Sequence, residues 1–176
     1  MRPRGLRRRG TIDVVVPLEL VGVRVEIPAN TPMVLLREQE GRHRLLPIYI
    51  GSPEASAIHY ALEGVVPARP FTHDLFITTL QELGAELTQI VVTEVKDRTY
   101  YAELHLRTAD GEKIISSRPS DAIALAVRCS APLFASDELI EEAGQEPPPE
   151  PEQDAADIID EFKDFIENVS PEDFGA

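Results

Sequence analysis

A chain of 176 residues can bury a sizeable core as one domain. Its single cysteine, Cys129, excludes an internal disulfide framework and fits a reducing cytoplasm, and no apolar run approaches the roughly 18 residues of a membrane span. The net charge of −14 is unevenly placed: from Asp137 onward there are 15 acids and one lysine, so residues 1–136 are neutral, which argues against holding nucleic acid by bulk electrostatics and leaves room only for a local patch.

Taken in order, the chain opens with Arg2, Arg4, Arg7, Arg8 and Arg9 and no apolar segment of signal-peptide length behind them. Residues 1–16 therefore read as a disordered basic arm. Pro17 to Glu26 alternates as a strand and changes phase near Gly22, where a bulge is expected. Pro32 to Arg37 and Arg44 to Ile50 are the next two strands of an antiparallel meander. Ser52, Pro53 and Glu54 then open a helix with an N-cap, a proline in the first turn and an acid at the positive dipole end. Its stripe is Ile58, Ala61 and Leu62, and Gly64 closes it. Val65 to Phe71 is a linker. Thr72 caps a second helix, His73 to Leu83, with Phe76, Leu80 and Leu83 expected inward.

Glu86 to Val95 and Arg98 to Arg107 are strands around a Lys96-Asp97 turn, and Ala109-Asp110-Gly111 turns into a further strand, Lys113 to Ser116. Ser117, Arg118, Pro119, Ser120 and Asp121 crowd turn and helix-start residues together ahead of Ala122 to Val127, which is apolar on every side and so buried. Pro132 to Phe134 is short and extended, and Ser136 to Ala143 is a small acidic helix. Residues 145–156 form an acidic, proline-rich linker, and residues 157–176 an amphipathic docking helix with a tail. The helical stripe is Ile158, Phe162, Phe165 and Val169, apolar enough to dock on the domain or on a second copy, which makes a homo-oligomer an expectation. The fold class is α+β: a mostly antiparallel sheet of about six strands with helices packed on it.

The stretch Arg118-Pro119-Ser120-Asp121-Ala122-Ile123-Ala124-Leu125-Ala126 resembles the signature of the bifunctional nuclease domain family. Leu46 to Gly51 running into Glu54-Ala55, Pro70 to Leu75, and Val169 to Phe174 agree with it. The resemblance runs from about Leu18 to Glu142, with the tail motif added. It implies hydrolysis of DNA and RNA phosphodiesters with low sequence specificity, with a divalent cation such as Mg²⁺ and no organic cofactor.

The residues that could carry such chemistry sit where helices begin, because dipoles and free backbone amides favour anions there. Arg118 could clamp a phosphate with its rigid fork, and Ser120 could help bind it. His73 could act as general acid or base beside Asp74 and Asp121. Glu54, Asp74 and Asp121 are the candidate metal ligands, since magnesium takes one or two carboxylates plus water. Their plainer use is structural. Acids in first turns complement the dipole, and an arginine among them makes an internal ion-pair network. Under that reading the chain is a non-enzymatic, oligomeric binding or regulatory module. His43, His59 and His105 read as ordinary turn, helix and strand residues, and Cys129 as core. No HxH, HExxH or CxxC spacing points to zinc.

Overall fold

The computed structural model describes residues 14–148, of which those up to Glu146 belong to one compact unit. Eleven elements follow one another: β1 (Val15–Glu26), β2 (Thr31–Glu38), β3 (Leu45–Tyr49), α1 (Ser52–Leu62), α2 (Thr72–Glu82), β4 (Glu86–Lys96), β5 (Thr99–Thr108), β6 (Gly111–Ser117), α3 (Pro119–Cys129), β7 (Leu133–Ser136) and α4 (Asp137–Ala143). The fold is α+β, with a seven-stranded sheet in the order β3-β2-β1-β7-β4-β5-β6. The basic arm before residue 14, the amphipathic stretch 157–169 and the tail motif 169–174 lie outside the described residues.

The strand count exceeds expectation by one because β7 is a full member of the sheet. It pairs antiparallel with β1 and parallel with β4, and so joins two antiparallel meanders into one sheet. Four residues behind a proline look like an edge or a loop; only the two strands on either side make them central. Val15 and Val16, expected in the arm, pair with Ser136 and Ala135. The expected bulge is present between Leu20 and Gly22, and Gly22 takes φ 145°, a backbone that side chains resist.

One face of the sheet carries the core. Alternate residues Leu18, Val34, Leu36, Leu46, Ile48, Ile90, Val92, Leu104 and Leu106 point into it, as period-two strands require. Ile58 of α1, Ala122 to Ala126 of α3, and Leu139 and Ile140 of α4 fill the other side of the same cluster. α3 is the innermost helix: Pro119, Ser120 and Ala122 through Ala126 are all buried. Its small alanines let it approach the sheet closely, and Ile123→Ala would cost about 2–5 kcal/mol through the cavity left behind.

α2 packs differently from expectation. Ile77 and Leu80 lean on the core, whereas Phe76 and Leu83 are exposed along with Leu75. The helix carries apolar residues on more than one side, so its own pattern does not choose the inward face. α3 chooses it, by offering Arg128 to Asp74 and Asp121 to His73.

Candidate active site

Three helix starts meet at one place. α1 follows Gly51, whose missing side chain matters for space: a Cβ there would lie 2.3 Å from Oε2 of Glu54. Glycine lets the Glu54 carboxylate fold back against the helix start. α2 follows Phe71, whose backbone N–H donates to Oδ2 of Asp74 at 2.9 Å, one half of a capping box. Phenylalanine has no acceptor to return the other half. α3 follows Arg118, with Pro119 in its first turn, where a missing N–H leaves no carbonyl unpaired.

Arg118 ties the starts together. Its Nε donates to Asp121 Oδ2 at 2.7 Å and its Nη2 to Asp121 Oδ1 at 3.0 Å, a bidentate fork. Its Nη1 donates to Glu54 Oε1 at 3.0 Å. His73 Nε2 lies 3.3 Å from Asp121 Oδ1. Burial pushes the Asp121 carboxyl up, but the hydrogen bonds from Arg118 and His73 outweigh it and hold it below the usual carboxylate range. The side chain of Arg118 is nonetheless 65% exposed. These residues line a cavity of about 360 Å³, whose wall also includes Pro53, Tyr60 and Phe71.

The structure brings Glu54, His73, Arg118 and Asp121 together and leaves two candidates out. Asp74 turns away to Arg128 of α3. Burial pushes the Asp74 carboxyl up, and Arg128 with the Phe71 N–H more than offsets this, so it too stays low. Its contacts fix α2 against α3. Ser120 is buried in the α3 start and is not on the cavity wall. Among the described residues no group of three or more His, Cys, Asp or Glu is arranged to hold a metal ion. Glu54 and Asp121, the two acids that do approach each other, both face the Arg118 guanidinium. The set as arranged therefore suits a cation only if Arg118 leaves.

A family model described as the bifunctional nuclease domain matches residues 34–148. The chain belongs to the bifunctional nuclease domain family. The match takes in three of the four motif segments and stops short of the tail motif at 169–174. An uncharacterized protein of Mycobacterium tuberculosis is 39% identical over 164 residues, covering 90% of this chain and 98% of that protein. Bifunctional nuclease 1 of Arabidopsis thaliana is 31% identical over 108 residues, covering 60% of this chain and 33% of its own length. Bifunctional nuclease 2 of Oryza sativa subsp. japonica is 32% identical over a stretch covering the same shares.

Within this bifunctional nuclease domain, the sequence pattern missed three residues that shape the site: Tyr60, Phe71 and Arg128. Tyr60 carries no motif, and Phe71, although inside the Pro70 to Leu75 segment, also ends what reads as a linker and carries no group that suggests chemistry. Arg128 had a usable signal, being a cation in the last turn of a helix otherwise sunk in the core. Among the described residues no helix is long and apolar enough to cross a membrane.

Proposed function

We propose that this chain hydrolyses phosphodiester bonds of DNA and RNA, with low sequence specificity, in the cavity where α1, α2 and α3 begin. Family membership supports the reaction class. The observation that carries the reading is an exposed guanidinium beside a histidine backed by a carboxylate. Three of the five N–H groups of Arg118 are engaged by Asp121 and Glu54, which leaves two for a phosphate oxygen. His73 keeps Nε2 on Asp121 and offers Nδ1 to the proton that hydrolysis must move. Asp121 orients both partners and is the positioning residue of the set. Glu54 sets how far the guanidinium can swing.

A divalent cation would have Glu54 and Asp121 as its holders. With both carboxylates on Arg118 the residues as they stand do not fit one. A homo-oligomer is supported by the exposed Leu75, Phe76 and Leu83 of α2, and a cytoplasmic setting by the lone thiol.

The second reading, a non-enzymatic binding or regulatory module, is favoured by one specific fact. Glu54, Asp74 and Asp121 are each already paired with an arginine, as a purely structural network would be. The deciding assay takes the purified chain, His73→Ala and Asp121→Ala on single-stranded DNA and on RNA, each with Mg²⁺ and with EDTA. Cleavage by the wild type that falls at least about 100-fold in both variants supports hydrolysis here. Equal cleavage in all three, or none in any, removes it.

A further inference from the structure

Part of the wall of this cavity is aromatic. Tyr60, from the last turn of α1, and Phe71, the residue just before α2, stack with ring centroids 5.9 Å apart and planes 29° apart. Each is 43% exposed. Two large rings held open to water at a cavity rim are costly unless something covers them. Their placement is fixed: Tyr60 rides on a helix anchored in the core by Ile58, and Phe71 is pinned through its N–H to Asp74. The Arg118 guanidinium and the His73 imidazole line the same cavity. An aromatic pair and a guanidinium fork in one cavity match the two ends of a nucleotide.

The space supports one nucleotide and not a duplex. A cavity of about 360 Å³ is at the small end of ligand pockets, roughly 300–1,000 Å³. Residues 1–136 are neutral, so a long duplex finds little charge to track along. Affinity must come from contacts that each base makes alone, and stacking on a ring is such a contact and tolerates any base.

We infer that Tyr60 and Phe71 form a base-stacking platform, so the site takes single-stranded nucleic acid with one unstacked base on the outer face of the rings and its phosphate at Arg118. The inference rests on reading this cavity as a phosphodiester site. It adds the substrate's form: strands, loops and frayed ends are taken, and paired duplex is not, because a paired base cannot leave its stack to reach the rings at low cost.

The test is fluorescence anisotropy at 4 °C with four labelled probes: a thymidine 12-mer, an abasic strand of equal length, a blunt hairpin duplex, and thymidine monophosphate. Strand integrity is followed on a gel in the same samples. The wild type is expected to bind the 12-mer about ten-fold more tightly than the abasic strand or the duplex. Tyr60→Leu and Phe71→Leu abolish that preference, and Tyr60→Phe keeps it; thermal melts of all three confirm folding. Equal binding of 12-mer and abasic strand, or a preference that survives in both leucine variants, overturns the platform. So does self-association of the wild type that is lost in the leucine variants with no strand preference, since a second copy then covers the rings. Binding of the monophosphate as tightly as the 12-mer keeps the platform and overturns the strand as its ligand. Base preference without cleavage keeps the platform and removes hydrolysis. Cleavage of duplex and single strand alike keeps hydrolysis and removes the platform.

Discussion

Two arginines in this domain are each shared by two carboxylates, and they differ in burial. Arg44 donates through Nη2 to Glu38 Oε1 at 2.9 Å, through Nε to Glu38 Oε2 at 3.0 Å, and through Nη1 to Glu141 at 2.8 Å. Its side chain is 9% exposed and that of Glu38 is 4% exposed. Arg118 makes the same kind of fork to Asp121 and the same single bond to Glu54, with 65% of its side chain in water. The first network is buried at its Arg44–Glu38 fork, with only Glu141 at its edge in water, and it joins the end of β2 and the start of β3 to α4. The second lines a cavity. Chemistry alone does not distinguish joinery from a site, since the groups are the same; access to solvent does.

The comparison is broken most severely at Glu38. Glu38→Gln leaves the Arg44 charge buried with only the exposed Glu141 for company, and should cost about 3 kcal/mol in urea unfolding. Arg118→Lys is the counterpart. It should change stability by less than about 1 kcal/mol, because the pair is wet, yet lower cleavage about 100-fold, because a point charge cannot hold acid and phosphate at once. Equal losses of stability at the two positions would show that both networks are joinery.

A third measurement uses pH. The hydrogen bond from Arg44 holds the Glu38 carboxyl below the usual carboxylate range, outweighing its desolvation. A carboxyl lowered on folding stabilises above its unfolded value, about 4.3, and that stability is lost as pH falls through the folded value. Unfolding free energy should therefore drop below about pH 4, and the drop should be smaller in Glu38→Gln, with Asp74 and Asp121 supplying the rest. The smallest effect is expected at Ser117, whose buried Oγ has no partner beside Arg118. Ser117→Ala should shift the melting midpoint by no more than about 0.5 kcal/mol equivalent, and a larger loss would reveal a hydrogen bond to a group not present among these side chains.

Much of the architecture is legible in residue order. The short apolar runs Met33 to Leu36 and Leu45 to Ile50, bounded by turn residues, read as strands, and alternate members of each, such as Val34, Leu36, Leu46 and Ile48, enter the core. Pro53 and Pro119 mark the first turns of α1 and α3, and the run Ala122 to Ala126 marks a helix in the core. What is not legible is the orientation of α2, where Phe76 and Leu83 compete with Ile77 and Leu80 for the inward side, and the central place of β7. Neither is encoded by a local period. Each depends on what the rest of the sheet and α3 leave vacant.

Residue order is enough to place these side chains at helix starts, because dipole and proline preferences act within one turn, although the N-caps are Gly51 and Phe71 and not Ser52 and Thr72. Only the tertiary structure decided which of them meet. Glu54 and Arg118 are 64 residues apart, Asp74 and Arg128 are 54 apart, and His73 and Asp121 are 48 apart. At those separations no spacing rule operates. Side chains are brought together by the packing of α1 and α2 on α3, which placed Glu54, His73 and Asp121 around one open cavity and sent Asp74 to a different partner.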